Sequence, residues 1–212
     1  MNAIHRLARS ITLANVALSL AIATAGCTAT SPPKAAARPA EPVAAAALDP
    51  LANQRAFFEN LRALCGQTFG GRTILAPVRD KTFEPARLYM VVKDCKDDEI
   101  RIPFVVDGDA SRTWVFQMRK DGLRFFHEHL RPDGTAHEPS GFGGNATMDG
   151  TPVFQSFPDF ESTADTPVAK LRVWRLRLDT EHKLFVYYLD WAGLPLYRLA
   201  FHMGPASPPL PR

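Results

Sequence analysis

The sequence has little of several features that mark common protein classes. Lysine and arginine total 25 against 22 aspartates and glutamates, and without Arg6 and Arg9 near the N-terminus the balance is 23 against 22. No basic surplus is therefore present to neutralise phosphates, and we expect no nucleic acid partner. No repeat is visible at periods of roughly 20 to 50 residues, which argues against solenoids and propellers.

Motifs for enzymatic chemistry are also absent. Ser111 stands in a predicted turn, with no base and no orienting group at the spacing of a nucleophilic triad. The glycine-rich run 141–144 is not followed by the start of a helix, so it predicts a loop or bulge and not a phosphate-binding loop. We expect no cofactor. These absences favour a non-enzymatic function and leave enzymatic activity open.

The N-terminus has the features of an export signal. Residues 11–25 form an uncharged run that is too short to span a membrane comfortably and that follows Arg6 and Arg9. The small residues before Cys27 resemble the lipobox of bacterial lipoproteins, in which the cysteine becomes the lipidated first residue, although Thr24 stands where leucine is usual. An ordinary signal peptide cut nearby and an uncleaved anchor are the alternatives.

The lipobox resemblance implies an anchored protein of the cell envelope. Thr28 follows the cysteine, and by the sorting pattern of Gram-negative lipoproteins this implies the outer membrane, with the folded part facing the periplasm. The next stretch is mainly alanine, proline and threonine, which bury too little surface to offset the entropy of ordering. We predict a signal peptide over 1–26, a disordered linker over 27–48, a folded domain over 49–204 and a proline-rich tail over 205–212.

The folded domain is predicted to be mainly β. Asp49-Pro50 suits the start of a helix, with Asp49 as N-cap, and apolar residues then recur on one stripe until Gly66 ends the helix. About nine short strands follow, with turn signals between them. Such a meander suits a single antiparallel up-and-down β-barrel of about 8–10 strands with one N-terminal helix, because closure removes exposed edges.

The clearest hairpin signal is Asp121-Gly122, which suits a type I′ turn. With these residues as the turn, Met118 pairs with Phe125, and one face of the hairpin is mostly apolar. This face should point into the barrel and carry two histidines and an arginine with it. Its members are Arg112, Trp114, Phe116, Met118, Phe125, His127 and His129.

Polar residues on an inward face favour a ligand cavity over a filled core. A buried imidazole or guanidinium without a partner costs about 1–3 kcal/mol or more, so a filled barrel would favour aliphatic side chains. A small amphiphilic molecule with a carboxylate or phosphate head would satisfy Arg112 and a protonated histidine while stacking on Trp114. Affinity should then weaken as pH rises through the histidine pKa.

The last hairpin offers a second carboxylate site. A two-residue turn at Ala192-Gly193 would place Arg198 opposite Tyr187, and such a pair binds carboxylates well. Both faces of the 184–201 hairpin are largely apolar, so its orientation stays open. The predicted ligand-binding residues are therefore Arg112, Trp114, Phe116, Phe125, His127, His129, Tyr187 and Arg198.

A metal site is a weaker hypothesis. His127 and His129 are two apart on a strand, so that both side chains point the same way and can reach one ion. His137 follows close by, but a complete ligand set is not identifiable. The alternative is a histidine pair that lines the cavity and hydrogen-bonds to Arg112 or to water.

The three cysteines suggest one disulfide. If Cys27 is lipidated, Cys65 and Cys95 remain as an even pair in an oxidising compartment. A bridge between them would join the helix to the barrel, and the alternative is two buried free thiols. Export favours the bridge.

Several short motifs resemble a family of uncharacterised bacterial secreted proteins. They are Leu64-Cys65-Gly66, Phe69-Gly70-Gly71, the run 100–104, Ser111-Arg112-Thr113-Trp114, Gly122-Leu123, the His-x-His-x-x-x-Asp-Gly run 127–134 and Gly143-Gly144. The resemblance covers most of residues 55–204 and implies no activity. More distantly, a helix followed by a one-domain meander is similar in architecture to the calycin (lipocalin-like) barrels.

These features together predict a lipid-anchored cell-envelope protein that binds a small, partly apolar, anionic molecule in a barrel cavity. Its partners are that molecule and, through the lipid, the membrane. One alternative is a hydrolase or lyase that uses His127 and His129 as acid and base. Another is a structural or adaptor lipoprotein with a filled core and no ligand.

Overall fold

A computed structural model describes the folded part of the chain. The chain divides into two units, and every described residue belongs to the second, Ala46–Arg212. The described residues are 49–78, 80, 82–84, 86–159 and 171–204. The predicted signal peptide, linker and tail, with Cys27, lie outside them. None of the described helical structure is long and apolar enough to cross a membrane.

The described chain forms one helix and ten strands, which confirms the mainly β prediction. The elements are α1 (Ala52–Arg62), β1 (Thr68–Leu75), β2 (Leu88–Val91), β3 (Glu99–Val106), β4 (Asp109–Arg119), β5 (Gly122–His129), β6 (Phe142–Asn145), β7 (Phe154–Pro158), β8 (Arg172–Asp179), β9 (Leu184–Trp191) and β10 (Leu194–His202). All pairings are antiparallel, in the order β6-β5-β4-β3-β2-β1-β10-β9-β8-β7. Every strand pair except β1–β10 joins two strands that are neighbours in sequence, so the sheet is an up-and-down meander.

The two ends of this sheet, β6 and β7, come together and nearly close the barrel. The Thr147 N–H donates to the Ser156 carbonyl oxygen at 2.9 Å across this seam. A side chain at Gly144 would overlap the Pro158 carbonyl oxygen, and one at Gly143 would overlap the backbone of β5. The prediction of a loop or bulge over 141–144 is therefore wrong, because the glycines form a strand that needs close backbone approach on both sides.

Helix α1 covers one end of the barrel. Phe57, Phe58 and Leu61 are fully buried in the barrel core. At the same end, Gln54 Oε1 accepts a hydrogen bond from the Leu123 N–H at 2.7 Å, beside the turn between β4 and β5. The apolar stripe of the helix thus packs into the interior of the barrel, because an amphipathic helix has to bury its apolar face.

The start of α1 differs from the prediction. Leu51 occupies the N-cap position, so the prediction of Asp49 as N-cap is wrong. The Asp49 carboxylate accepts instead from the Leu51 N–H at 2.9 Å and from Arg55 Nε at 3.0 Å. It therefore supports the turn that leads into the helix.

The predicted disulfide between Cys65 and Cys95 is confirmed. Cys65 follows α1, and Cys95 lies in the connection between β2 and β3. Gly66 between α1 and β1 has a φ of 82°, and its N–H donates to the Val92 carbonyl oxygen at 2.8 Å. The bridge therefore fixes the end of the helix to the barrel wall.

The turn of the β4–β5 hairpin lies one residue earlier in the chain than predicted. Arg119 pairs with Gly122, so Lys120 and Asp121 form the turn, and Met118 pairs with Leu123. Of the predicted turn pair only Gly122 has a positive φ, so the type I′ prediction is wrong. Because the register differs by two residues, every side chain keeps its predicted face.

A candidate ligand-binding cavity

A cavity of about 240 Å³ lies in the barrel interior. Its wall is formed by side chains of β3, β4, β5, β6, β8, β9 and β10 and by the connection between β1 and β2. On the β4–β5 hairpin, the lining residues Arg112 and His129 pair with each other at the end away from the turn that α1 contacts. The helix therefore closes one end of the barrel, and the cavity lies toward the other.

An aromatic stack forms one side of the wall. The ring of Trp114 lies 4.8 Å from that of Phe104, at an angle of 16°, and 5.0 Å from that of Tyr187, at 7°. Trp114 therefore stacks on two protein rings, and only 2% of its surface is exposed. Little of the Trp114 ring is therefore free for a ligand to stack on, contrary to the sequence prediction.

His127 is the most buried polar residue of the wall, with 6% of its surface exposed. Its Nδ1 atom lies 3.2 Å from the Phe142 carbonyl oxygen, and its Nε2 atom lies 3.2 Å from the Tyr187 hydroxyl. Because a carbonyl oxygen only accepts, Nδ1 carries the proton and donates it, and Nε2 accepts from the Tyr187 O–H. The hydrogen bonds therefore run in one direction, from Tyr187 through His127 to the backbone.

Burial keeps this imidazole neutral. It lowers the pKa of His127 from 6.5 to about 3, with smaller lowering effects from His129 and Arg172, and the bond to Phe142 opposes the change. The prediction that a protonated histidine here binds an anion is therefore wrong for His127. A cavity ligand meets a neutral ring near neutral pH.

Trp174 supplies a buried donor beside this chain of hydrogen bonds. The residue is fully buried on the cavity wall, and among the described residues its indole N–H has no hydrogen-bond acceptor. Burial raises the pKa of Tyr187, and the approach of the Trp174 N–H to its hydroxyl opposes the rise without reaching hydrogen-bond geometry. An unsatisfied buried donor of this kind costs about 1–3 kcal/mol unless a ligand or water accepts from it.

Arg112 and His129 form the outer part of the wall. Arg112 Nη1 donates to Asp109 Oδ2 at 2.7 Å, and within the described part of the chain the Arg112 side chain makes no other hydrogen bond. The pKa of His129 is lowered by burial and by the nearby Arg112 and His137, and Asp109 opposes this. The guanidinium therefore keeps donor groups that an acidic ligand could use.

The other charged side chains on the wall are held by the protein. Nε and Nη2 of Arg172 lie 2.9 Å and 2.7 Å from Oδ2 of the buried Asp159, and its guanidinium lies 5.4 Å from the Trp174 ring. Asp80 Oδ1 accepts from the Thr82 N–H at 2.9 Å, and Oδ2 accepts from the Tyr197 hydroxyl. Both groups are thus fixed in place by hydrogen bonds.

Five of the eight predicted ligand-binding residues lie on the cavity wall, namely Arg112, Trp114, His127, His129 and Tyr187. Phe116 and Phe125 do not. They are fully buried nearer to α1, with ring centroids 4.9 Å apart, and Phe125 packs against Phe157 at 5.3 Å. These rings form a filled core beneath the cavity.

Arg198 lies on the outer face of the barrel. The register of β10 against β9 shifts by one between Pro195 and Tyr197, so Arg198 pairs with Tyr188, and Leu199 takes the predicted place opposite Tyr187. A shift of one residue reverses the faces of a strand. Arg198 forms an ion pair with Asp190, which also binds Arg175.

The sequence reasoning missed Trp174, Arg172 and Phe142 on the wall. On β8, Trp174 alternates with Leu176 and Leu178, and this period of two was a usable signal for an inward face. Phe142 adjoins the glycines for which the sequence predicts a loop or bulge, so no local pattern indicates its position.

The metal hypothesis finds little support in the geometry. Both ring nitrogens of His127 are engaged in hydrogen bonds, and His137 is exposed. Across the residues that the structure describes, no group of three or more His, Cys, Asp or Glu side chains is placed to hold a metal ion.

No family model, no curated protein and no solved structure matches this chain. The family and the calycin likeness stay predictions, and function has to be argued from the cavity.

Proposed function

We propose that this is a lipid-anchored protein of the outer membrane that binds a small, partly apolar, anionic molecule in its barrel cavity. The observation that carries the proposal is the combination of a void of about 240 Å³, an aromatic wall and an unpaired buried donor on Trp174. Sites that bind small molecules combine a largely apolar surface with a few placed polar groups in this way.

The size of the cavity limits the ligand. An apolar cavity of about 150 Å³ is large enough for benzene. A void of about 240 Å³ therefore holds a ring with small substituents or a short alkyl chain. Larger lipids would have to extend through the open end.

Arg112 favours a negative charge on the outer part of the ligand. Arg112 lies on the cavity wall, and only one nitrogen of its guanidinium donates to Asp109. A carboxylate or phosphate placed there would accept charge-assisted hydrogen bonds, which are stronger than neutral ones.

The two alternatives fit the geometry less well. A pKa of about 3 leaves His127 far from the value near the working pH that general acid–base catalysis favours, and both its nitrogens are engaged. A structural lipoprotein is expected to have a filled core, whereas this barrel contains a cavity with an unpaired donor on its wall. Lipid anchoring rests on the sequence around Cys27 alone.

Calorimetric titration with octanoate, benzoate and 1-octanol tests the binding proposal. We expect the two acids to bind more tightly than the alcohol, and Arg112→Ala to weaken acid binding by about tenfold or more, because a hydrogen bond to a charged group is worth about 1.5–3 kcal/mol. Arg177→Ala is the matched control, since Arg177 is an exposed arginine on the outer face of β8.

A cavity-filling variant locates the binding site. Leu189 lies on the cavity wall and is partly exposed, so Leu189→Trp should fill the void without unfolding the barrel. Binding should then be lost while the circular dichroism spectrum is unchanged. If none of the three probes gives saturable heat, or if binding survives in Leu189→Trp, the proposed function is wrong.

A further inference from the structure

The inner part of the cavity presents a donor and an acceptor side by side. The Tyr187 hydroxyl has one hydrogen, and this hydrogen is committed to His127 Nε2 because His127 Nδ1 donates to the Phe142 carbonyl. Towards the cavity the Tyr187 oxygen can therefore only accept. Trp174 approaches the same oxygen, and its N–H is buried without an acceptor among the described residues.

This pairing discriminates between ligand groups. A hydroxyl group can accept from the Trp174 N–H and donate to the Tyr187 oxygen at the same time. A carbonyl or an ionised carboxylate satisfies only Trp174 and sets its lone pairs against those of Tyr187. An ammonium group satisfies only Tyr187 and leaves the indole N–H unpaired.

The proposed carboxylate site at Arg112 lies two residues further along the β4–β5 hairpin, away from its turn. The Arg112–His129 pair follows the Trp114–His127 pair by two residues on each strand. Two residues of a β-strand span about 7 Å. That is the scale of one six-membered ring with a substituent at each end, and the ring of Phe142 lies against the histidines of both levels.

We propose that the ligand is a hydroxylated aromatic acid, with its hydroxyl against Trp174 and Tyr187 and its carboxylate at Arg112. The proposal rests on the proposed function and makes it specific. The aromatic rings on the cavity wall suit an aromatic body, because aromatic pairs form favourable offset-stacked or edge-to-face contacts. Tyr187 acts as an acceptor towards the ligand because its only hydrogen is donated to His127, which in turn donates to the Phe142 carbonyl oxygen.

The test compares 4-hydroxybenzoate with 4-methylbenzoate, which replaces the hydroxyl by a methyl group of similar size. Calorimetry with the full-length wild-type protein should give a dissociation constant at least about tenfold lower for the hydroxyl compound, because the methyl group leaves both buried polar groups unpaired. Equal affinities would overturn the proposal, and so would a failure of both compounds to bind.

Two variants assign the selectivity to the named groups. Tyr187→Phe removes the acceptor and Trp174→Phe removes the donor, and each should bring the two dissociation constants within about threefold of one another. Tyr188→Phe is the matched control, because Tyr188 is next to Tyr187 on β9 but points to the outer face. It should retain the wild-type selectivity. Selectivity that persists in both test variants would overturn the proposal.

The outcomes separate this inference from the proposed function. If octanoate binds in the wild type and is lost in Leu189→Trp, but the two benzoates bind equally, the cavity binds ligands and the hydroxyl assignment is wrong. If no acid binds, both proposals fail. Thermal melting of each variant shows whether it is folded. If Trp174→Phe is unfolded, the selectivity of Tyr187→Phe alone decides the test.

Discussion

The imidazole of His127 and the hydroxyl of Tyr187 meet across the barrel interior, where Nε2 and the hydroxyl oxygen lie 3.2 Å apart although the residues are 60 positions apart in sequence. They lie on β5 and β9, which are far apart in the order of the sheet. The contact therefore joins opposite walls and turns the Tyr187 hydrogen away from the cavity. Burial keeps the histidine neutral, and its contact with Tyr187 sets the direction of the hydrogen bonds in the candidate site.

The burial of His127 predicts acid sensitivity. Its pKa falls from 6.5 to about 3 on folding, under the influence of burial, His129 and Arg172. Between these values the unfolded chain binds a proton that the folded protein does not, so the free energy of unfolding decreases as pH falls through this window. The largest slope is about 1.4 kcal/mol per pH unit.

Urea unfolding at pH 7 and pH 4.5 checks this prediction. His127→Gln should show a smaller loss of stability between the two pH values than the wild type, because glutamine does not titrate. His202→Gln, which changes an exposed histidine, serves as the control and should keep the wild-type difference. An unchanged difference in His127→Gln would show that His127 does not titrate as inferred.

The glycine seam predicts a large effect of a small substitution. In Gly144→Ala the new methyl group would overlap the Pro158 carbonyl oxygen, so β6 and β7 would have to separate. We expect a loss of about 1–3 kcal/mol or more in the free energy of unfolding. Asn145→Ala, on the same strand but exposed, should stay within about 0.5 kcal/mol of wild type. Similar urea midpoints for the two variants would refute the close approach.

The disulfide predicts a redox-dependent stability. The bond between Cys65 and Cys95 closes a loop over a sequence separation of 30, for which chain entropy predicts about 3–4 kcal/mol of stabilisation. Reduction with dithiothreitol should lower the urea midpoint of the wild type but not that of a Cys65→Ser, Cys95→Ser double variant. Two freely alkylatable thiols in the native, unreduced protein would contradict the pairing.

Anchoring through Cys27 is tested by Cys27→Ser. We expect the variant to leave the membrane fraction and to lack the mass of a diacylglyceryl group, while the barrel remains folded. Membrane fractionation with mass spectrometry measures both. Unchanged fractionation would show that the protein is not held by this lipid.

Local patterns were sufficient for the class of fold and for one wall of the cavity. Alternation along β4 and β5 placed Trp114 and His127 on one inward face, and this survived a register error of two residues. It survived because side chains repeat with a period of two in a strand. The pairing of Cys65 with Cys95 likewise followed from their number and the predicted compartment.

Errors arose where the decisive feature was not periodic. An extra residue between Pro195 and Tyr197 turned Arg198 to the outer face, and no local signal marked it. The glycines of β6 have weak strand propensity, and only the approach of the neighbouring backbones on either side explains why they form a strand.

The sequence alone determined that the chain forms an antiparallel barrel with one helix and which residues of the β4–β5 hairpin face inward, because hydrophobic alternation and turn residues act over a few positions. Tertiary structure alone decided which inward residues line a void and which fill the core, and it brought Trp174 and Tyr187 to His127. The physical reason is that burial, pKa and hydrogen-bond direction depend on groups that meet only when distant strands close the barrel.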